Sequence, residues 1–598
     1  MPRDTGGAVG HVPQISGLAS PPMEVTGIAV ELAVGGNTTF SISRPSIGSP
    51  SWPEGTHRVG PLEISLAGSP EASGVTFSGA IANPGRSPYV VRRVGLRLDA
   101  VPRTVLETGY QSWSPVRRCS PSDTRPGRRL QPLMARGSYH SDPGRAGRVV
   151  AGDQYLVWAG PSSGGVAGFL DSREHLSTIE SHTDGVWAWA LLDRIVLTPG
   201  SVRRFDPFWI AEGDPGSLYS EFASLWGATA RARNNRPSPA TTCRPGWCSW
   251  YQHWWKVNPD HIRRALATAE ERDLGLLVLD DGYQSRIGDW LSPGARWSEP
   301  GSTPSDLASE VRLAGREPGI WTAPFLAGRR SKVATSHPEW IVRAARGAFP
   351  LPVLYNPVSW GGWVYALDTT QPAVLDHLRS TFSALSSEGF GFHKVDFCYA
   401  ATMPGRRQGD GVLTRAQGLR AGLQAIREGI GEEGYLLGCG CPFGPAVGVV
   451  DAMRVSPDTA PWWRPTLLSW PAYHDTAPAA VNAVRASVLR APLHRRLFAN
   501  DPDCLLLRPT GSRLTPPQRQ VIADTAAGTG GFTLLSDDLS LYGEPEWEGL
   551  SALGALAEGA DTPLDIVDPF ARAVTVRSAT TELCVDWDAP SSSLTRRQ

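Results

Sequence analysis

The sequence has 598 residues, a formal net charge of −1 and 22 tryptophans, and its hydrophobic content of 41% is enough for several buried cores. The balanced charge excludes the basic face that binding to nucleic acid or to an anionic membrane requires, so we expect neither partner. The sequence contains no run of 18 apolar residues, and its first residues lack the apolar segment of a secretion signal. We therefore expect a cytoplasmic protein with reduced cysteines.

The first 215 residues predict a β-sandwich, because short segments alternate apolar with polar residues and are separated by turn residues. The clearest examples are 74–81, 94–98, 155–158, 186–190 and 195–197. The polar and aromatic segment 107–115 departs from this pattern and is typical of a loop that reaches outward. An ordinary loop whose Trp113 packs on its own domain fits the local sequence as well.

Residues 216–231 predict a helix, and the Pro-, Ser- and Thr-rich stretch 234–242 is typical of a linker. We therefore assign 1–235 to an N-terminal β-sandwich domain with a linking helix.

From residue 243 onward, short apolar strands alternate with helical segments, which predicts a central (β/α)8 TIM barrel over 236–545. The eight predicted strands are 246–250, 276–280, 319–323, 392–396, 435–438, 452–456, 497–500 and 531–535. Helices are expected after Asn258 and from Thr414. The stretch 324–391 is an insertion, and its segment 363–368 is a further strand candidate that would change the count of eight.

The last part of the chain, 546–598, predicts the last barrel helix and a small C-terminal β domain. Its strand candidates are 573–576 and 583–587. So short a segment is too small for an independent sandwich, so we expect it to pack against the barrel.

Polar and aromatic residues follow the predicted barrel strands, where the active face of such a barrel lies. They are Trp250, Tyr251, Asp280, Asp281, Trp321, Lys394, Asp396, Cys439, Arg454, Asp458, Asn500, Asp501 and Asp503. Carboxylates accept hydrogen bonds from hydroxyls, indoles stack on the C–H faces of sugars, and two carboxylates can cleave a glycosidic bond. This set suggests a sugar pocket. It has no phosphate-binding loop, and the pair Cys439 and Cys441 is too isolated for a metal site, so we expect no metal and no cofactor.

Each of these segments also has a structural interpretation. Asp280–Gly282 is typical of a turn, Asn500–Asp503 of a helix-capping loop, and Arg454 with Asp458 of a solvated salt bridge. Only three of the 57 basic residues are lysines, so Lys394 is either a required point charge or a chance surface residue. The coincidence of all these residues at the strand ends of one barrel favours the pocket.

Taken in order, these residues resemble glycoside hydrolase family 36 α-galactosidases, the melibiases. The matching stretches are 246–251, 279–283, 319–324, 393–396, 438–442, 453–461 and 500–503, and Gln111–Trp113 resembles the N-terminal loop that reaches the barrel mouth in that family. The resemblance implies a multidomain fold of β-sandwich, (β/α)8 barrel and small C-terminal β domain. It implies hydrolysis of α-galactoside oligosaccharides.

The resemblance also implies individual roles. Asp396 matches the nucleophile, Asp458 the general acid/base, and Asp280 and Asp281 the pair that holds the galactose 4- and 6-hydroxyls. Further sugar contacts or pocket walls are implied at Lys394, Trp250, Tyr251, Cys439, Arg454, Trp113 and Trp321. The sequence departs from the family at two positions, where Tyr283 replaces a frequent Trp and Cys441 replaces a frequent Ser.

Three expectations follow from charge. Lys394, two residues before Asp396, should lower the pKa of that carboxyl. Asp458 must begin protonated and should occupy the drier or more negative place. Arg454 should point at substrate or at Asp396, because contact with Asp458 would lower the pKa of the acid. The implied reaction is a double displacement with retention of configuration.

The sequence leaves several alternatives open. An α-N-acetylgalactosaminidase and a galactosyl transglycosylase would use the same two carboxylates, and an inactive galactoside-binding protein would use the same pocket. The natural oligosaccharide and the oligomeric state are not determined by these residues.

Overall fold

The structure is a computed structural model, and it describes residues 25–33, 37–43, 54–123, 137, 139–143, 149–161, 163–183, 185–232, 245–272, 274–345, 347, 349–465, 475–530, 533–557 and 562–597. The predicted linker 234–242 and the first residues of the chain lie outside these ranges. The domain boundary at residue 235 therefore stays a prediction.

The N-terminal part of the described chain folds into two antiparallel sheets that enclose one apolar core. The first sheet has the order β2-β1-β6-β13-β12-β9. Its strands are Val25–Ala33 (β1), Asn37–Ser43 (β2), Tyr89–Leu98 (β6), Val150–Gly152 (β9), Leu176–His182 (β12) and Gly185–Leu197 (β13). Ile28 of this sheet and Ile64 of the other are both fully buried in the core.

The second sheet has the order β3-β4-β5-β15-β11-β10-β7-β8, with β14 pairing β5. Its strands are Gly55–Val59 (β3), Leu62–Pro70 (β4), Gly74–Ala82 (β5), Thr104–Glu107 (β7), Arg117–Cys119 (β8), Tyr155–Ala159 (β10), Gly164–Phe169 (β11), Val202–Arg204 (β14) and Phe208–Gly213 (β15). The predicted β-sandwich is confirmed.

The helix α1, Pro215–Ala232, confirms the helix predicted at 216–231 and joins the sandwich to the barrel. Tyr219 and Trp226 of α1 are fully buried. The Tyr219 hydroxyl lies 2.7 Å from the Tyr155 hydroxyl of the sandwich and donates to the Leu489 carbonyl of the barrel at 3.2 Å. One helix side therefore packs against two domains.

The central sheet of the described residues has eight parallel strands in the order β25-β24-β23-β22-β18-β17-β16-β26. They are Gly246–Cys248 (β16), Leu276–Leu279 (β17), Glu317–Thr322 (β18), Phe392–Val395 (β22), Tyr435–Gly438 (β23), Ala452–Arg454 (β24), Ala499–Asp501 (β25) and Leu534–Leu535 (β26). A parallel bridge between Leu505 and Leu535 links the segment after β25 to β26. The strands follow each other in chain order, and the predicted (β/α)8 barrel is confirmed.

The helices outside the sandwich begin where their capping residues predict. Asn258 accepts the His261 N–H at 3.0 Å, and Thr414 forms a capping box with Gln417. The helices are Trp250–His253 (α2), Pro259–Arg272 (α3), Pro304–Leu313 (α4), Lys332–Ser336 (α5), Pro372–Ser387 (α6), Arg415–Ile430 (α7), Phe443–Ala446 (α8), Ala480–Leu489 (α9), Pro516–Thr529 (α10) and Glu544–Ala557 (α11). Among the described residues, none of these helices is both long enough and apolar enough to cross a membrane.

The insertion after the third barrel strand forms a separate antiparallel sheet of Leu326–Gly328 (β19), Pro352–Asn356 (β20) and Gly362–Ala366 (β21). The strand candidate 363–368 therefore belongs to this sheet, and the count of eight barrel strands is unaffected.

The C-terminal sheet has four antiparallel strands, Asp565–Ile566 (β27), Val574–Arg577 (β28), Thr581–Asp586 (β29) and Ser591–Arg596 (β30). It packs against helix α10, where the Ser592 hydroxyl donates to Asp524 at 2.6 Å. Leu583 lies directly against Gly528 of the same helix. The expected packing against the barrel is confirmed.

Arg490, at the end of helix α9, joins the sandwich to the barrel. Its guanidinium is fully buried and donates to the carbonyls of Gly109 (3.3 Å), Gln111 (3.1 Å), Ser112 (3.4 Å) and Val455 (2.5 Å). Burial lowers the pKa of Arg490 to about 10, and in the described chain no carboxylate forms a salt bridge with it. One buried cation therefore holds the loop that carries Trp113.

Replacing Arg490 with Met should destabilise the protein by about 3 kcal/mol, because several buried carbonyls lose their donor. Urea denaturation measures the loss. The matched control is Arg379→Met, since Arg379 is an exposed arginine paired with Asp376 and Glu428 and should leave the midpoint unchanged. Equal midpoints for the two variants would contradict the role given to Arg490.

Candidate active site

A pocket of about 260 Å³ opens at the carboxyl ends of the barrel strands. Its lining residues are Trp113, Trp250, Tyr251, Trp254, Trp255, Asp280, Asp281, Trp321, Leu354, Asn356, Ser359, Trp360, Lys394, Asp396, Phe397, Arg454 and Asp458. Ten of the eleven site residues predicted from sequence lie in this lining, and Cys439 is the exception.

Lys394 and Asp280 form a buried ion pair at the base of the pocket, with Nζ 2.8 Å from Oδ2. The Cys248 thiol donates to the same oxygen at 3.3 Å. Lys394 was expected to lower the pKa of Asp396; its charge acts in that direction, but its salt bridge is with Asp280. Strand β22 ends at Val395, and the left-handed Phe397 (φ 54°) turns the chain just after Asp396.

Asp396 is held by neutral donors. The Trp321 indole N–H donates to Oδ2 at 3.1 Å, and the Phe397 backbone N–H donates to Oδ1 at 2.7 Å. Burial raises the pKa of Asp396, and this effect outweighs the opposing charge of Lys394 and these hydrogen bonds. The expected depression of this pKa is therefore wrong, because only 8% of the residue remains exposed.

Asp281 lies beside Asp280 and faces the insertion. Its Oδ2 accepts the Trp360 indole N–H at 2.7 Å, and its Oδ1 accepts the Gln284 amide at 2.5 Å. Burial raises the pKa of Asp281 to about 6 against these two donors. The insertion thus contributes directly to the pocket.

Arg454 contacts Asp458 instead of Asp396. Its Nη2 lies 3.0 Å from Asp458 Oδ1 and 2.5 Å from Asp503 Oδ2. The expectation that Arg454 avoids Asp458 is wrong, because the side chain reaches along its own strand end (i to i+4) and is shared by two carboxylates. Asp503, which carried no assigned role in the sequence, completes this group.

Asp458 is the more exposed of the two candidate catalytic carboxylates. One third of its side chain (33%) is accessible, and Asp396 is buried. The expectation was a drier or a more negative place for Asp458, and this exposure excludes the drier one. Its surroundings hold the buried Asp503 carboxylate, and its Oδ1 accepts the Trp113 indole N–H at 3.2 Å.

Trp113 reaches the pocket from the N-terminal domain. Its backbone N–H donates to the Gln111 side chain at 2.8 Å, and the Ser112 hydroxyl accepts the Gly440 N–H at 3.1 Å. Gly440 has a φ of +50°, and a Cβ there would lie 2.8 Å from the Trp113 ring and 3.3 Å from Asp396 Oδ1. This contact requires glycine.

Three cysteine and tyrosine positions discussed from sequence lie behind the pocket wall. The buried Cys439 accepts from Arg454 Nη1 at 3.9 Å, and its thiol also donates to Asp396. Tyr283 is buried and donates to the Trp321 carbonyl at 3.1 Å. Cys441 is buried too. Tyr283 and Cys441, the two departures from the family pattern, are therefore not among the described residues that line the pocket.

Sequence reasoning missed the outer wall. Trp254 and Trp255 directly follow the predicted Trp250 and Tyr251, so their position could have suggested them. Leu354, Asn356, Ser359 and Trp360 belong to the insertion and carry no local signal. Among the described residues, no cluster of three or more His, Cys, Asp and Glu side chains is arranged to hold a metal ion.

Replacing Gly440 with Ala should lower stability by about 2 kcal/mol or more, because a left-handed alanine is strained and its Cβ displaces Trp113. Denaturation midpoints test this. The control Gly549→Ala lies in helix α11 with nothing within 4 Å of its Cβ position. It should be neutral or stabilising by up to about 1 kcal/mol, and a similar gain at Gly440 would contradict the close contact.

The sequence model of the melibiase family matches residues 227–410. The curated α-galactosidase of Escherichia coli is 25% identical over 156 residues, which cover 25% of this chain and 20% of that protein. The α-galactosidase AgaA of Geobacillus stearothermophilus is 28% identical over 156 residues, with coverage of 25% and 20%. These matches span about a fifth of the length of the curated relatives.

Solved structures match over a longer range. TtGalA, an α-galactosidase from Thermus thermophilus in complex with p-nitrophenyl α-D-galactopyranoside, is 25% identical, covers 86% of this chain and 95% of its own, and has a TM-score of 0.68. The GH36 α-galactosidase AgaA from Geobacillus stearothermophilus shares the fold at 16% identity, with a TM-score of 0.59 and coverage of 88% and 72%. With the family match across the first half of the barrel, these likenesses show that the chain is similar to melibiases over part of its length and shares the fold of solved α-galactosidases.

Proposed function

We propose that this chain is a retaining α-galactosidase that removes terminal α-linked galactose from oligosaccharides. The observation that carries the proposal is the meeting of Asp396 and Asp458 in one pocket whose base holds the pair Asp280 and Asp281. The solved TtGalA complexes with an aryl α-galactoside and with stachyose support the substrate class.

Asp396 acts as the nucleophile in this proposal. It attacks the anomeric carbon, the leaving oxygen takes a proton, and a β-galactosyl-enzyme forms. The N–H donors from Trp321 and Phe397 orient the two carboxylate oxygens. Burial keeps the anion poorly solvated, so water need not be stripped from it during attack.

Asp458 acts as the general acid and then as the general base. It gives a proton to the glycosidic oxygen and later removes one from the attacking water. Its partial exposure suits this role, because the leaving group departs toward solvent and water enters on the same side. A sugar hydroxyl in place of water would give transglycosylation with the same residues.

Galactose recognition is assigned to the base of the pocket. Asp280 and Asp281 accept hydrogen bonds from the 4- and 6-hydroxyls, and Lys394 compensates the charge of Asp280. Trp360 holds Asp281 from the insertion. A sugar with the opposite configuration at carbon 4, such as glucose, would leave these buried carboxylates without a hydroxyl partner. We therefore expect α-glucosides to be poor substrates.

The outer wall is assigned to the remainder of the oligosaccharide. Trp254 is 45% exposed although it lines the pocket, and the polar Asn356 and Ser359 belong to the insertion. The Asn356 amide donates to Ser359 at 2.8 Å, which fixes both side chains. An exposed indole and fixed polar groups suit a second sugar ring.

We also propose a cytoplasmic location, which the free buried thiols of Cys248 and Cys504 support.

Replacing Asp396 with Asn should reduce kcat for p-nitrophenyl α-galactoside by roughly three orders of magnitude or more, because the nucleophile is lost. Azide should partly restore turnover and yield a β-galactosyl azide. The assay panel includes the α-N-acetylgalactosaminide and the α-glucoside, which wild type should cleave poorly. The control Asp368→Asn removes a buried carboxylate that binds Thr370 outside the pocket and should keep activity. Wild-type activity in Asp396→Asn would refute the assignment.

Replacing Trp254 with Ala should lower kcat/KM for stachyose about tenfold, since burial of an indole against a sugar contributes about 1.5 kcal/mol. Activity on methyl α-galactoside should be unchanged, because that substrate has no second ring. The control is Trp363→Ala, a similarly exposed tryptophan (39%) outside the lining. A matched loss on both substrates would show that Trp254 does not form an outer subsite.

A further inference from the structure

The loop 357–361 of the insertion reaches the pocket, and the mechanism above does not explain how it is held there. It connects the antiparallel strands β20 and β21. Its residues Ser359 and Trp360 belong to the pocket lining, whereas Val358 of the same loop is 74% exposed. The loop is therefore a surface element with one side in the pocket.

Trp360 is the residue through which this loop contacts the sugar-binding carboxylates. It is 8% exposed, and its indole N–H donates to Asp281 Oδ2 at 2.7 Å. Its ring packs edge-on against Phe397, with the centroids 5.1 Å apart, and lies 6.3 Å from the Trp321 ring. A hydrogen bond weakens steeply as its length and angle depart from the optimum. A small displacement of the loop would therefore release Asp281 from its indole donor.

Asn356, the last residue of β20, fixes the start of the loop. Its carboxamide oxygen accepts the backbone N–H groups of Val358 at 3.2 Å and of Ser359 at 3.1 Å. Its amide nitrogen donates to the Ser359 hydroxyl at 2.8 Å. An asparagine that binds the backbone ahead of it forms an Asx turn, and Pro357 supplies the fixed φ that suits the next position of such a turn. The side chain of Asn356 thus stabilises its own loop.

The loop ends in a glycine turn. Gly361 directly follows Trp360 and has a left-handed φ of 73°, which a residue with a side chain adopts only at a cost. The Asx turn before Trp360 and the glycine turn after it restrict the backbone on both sides of the indole. The position of the indole therefore depends on the sequence of this loop.

We propose that Asn356 is a positioning residue that sets the selectivity of the pocket for galactose. By holding the loop in its Asx turn, Asn356 keeps the Trp360 indole on Asp281. Asp281 then keeps the orientation in which it accepts a sugar hydroxyl. This inference rests on the proposed function, in which Asp280 and Asp281 accept the 4- and 6-hydroxyls. Asn356 acts through Trp360 in this role and does not touch the reacting atoms.

A ratio of substrates separates this role from a general loss of activity. The kcat/KM of p-nitrophenyl α-galactoside is divided by that of its 4-deoxy and of its 6-deoxy derivative. All three substrates carry the same leaving group, so the outer wall contributes equally to each. A loss that is common to all substrates cancels in the ratio, whereas the loss of a hydrogen bond to one hydroxyl lowers it.

Trp360→Phe keeps an aromatic ring and removes the N–H. It should lower the ratio for at least one derivative by roughly tenfold, because the bond to a charged group is lost. Asn356→Ala should lower the ratio for the same derivative by a similar factor, although Trp360 is intact. In the double variant the two losses should not add, because the N–H through which Asn356 acts is already absent.

Asn356→Asp tests the cause within the loop. It retains the side-chain oxygen that accepts the two backbone N–H groups, so it should keep most of the wild-type ratio. This variant also keeps the Asx turn if the loop of Asn356→Ala is too weak for the enzyme to fold.

The C-terminal sheet offers a matched control with the same turn. Asp586 ends strand β29, and its Oδ1 accepts the backbone N–H groups of Asp588 and Ala589, each at 3.0 Å. It lies outside the pocket lining. Asp586→Ala should lower the midpoint of urea denaturation and leave both substrate ratios unchanged.

Unchanged ratios in Trp360→Phe or in Asn356→Ala would overturn the proposal, as would losses that add in the double variant. So would an Asn356→Asp variant that loses as much as Asn356→Ala, or an equal change of the ratios in Asp586→Ala. A wild-type protein inactive on every α-galactoside would instead refute the proposed function. The two failures are therefore distinguishable.

Discussion

The pocket depends on charge compensation at the mouth of the barrel. Four carboxylates line the pocket, namely Asp280, Asp281, Asp396 and Asp458, and a fifth, the buried Asp503, lies next to them on Arg454. Among the described residues around them, two buried cations, Lys394 and Arg454, form salt bridges with three of the five. Removing a charge from water is unfavourable unless a partner replaces the solvent. The remaining two, Asp281 and Asp396, depend on N–H and amide donors, and burial raises the pKa of each.

Indole N–H groups provide that compensation without adding charge. Trp113 comes from the N-terminal domain, Trp321 from a barrel strand and Trp360 from the insertion, and each donates to a different carboxylate of the pocket. A cation in any of these places would lower the pKa of the carboxyl strongly, whereas a neutral donor orients it with a weaker effect. The pocket is therefore complete only when all three parts of the chain are packed together, which gives Arg490 its importance at the domain interface.

Local sequence predicted which side chains reach the pocket, because a parallel barrel places strand ends on one face. Asp280, Lys394 and Asp396 were found in this way. Their pairing was not predictable, since strand β22 ends one residue before Asp396 and the left-handed Phe397 redirects the chain. Trp360 was missed because its contact with Asp281 spans 79 residues and depends on an antiparallel sheet inside the insertion.

The expectation about Arg454 was wrong for an instructive physical reason. It treated Arg454 and Asp458 as an isolated pair, in which contact would abolish the acid. The structure adds a third member, because one guanidinium nitrogen is shared with Asp503. A cation between two carboxylates leaves one negative charge in excess, so Arg454 does not neutralise Asp458 alone. How far an arginine neutralises one carboxylate therefore depends on the number of carboxylates that share it. That number comes from the neighbouring strand end, seven strands into the barrel, and not from the segment that carries Asp458.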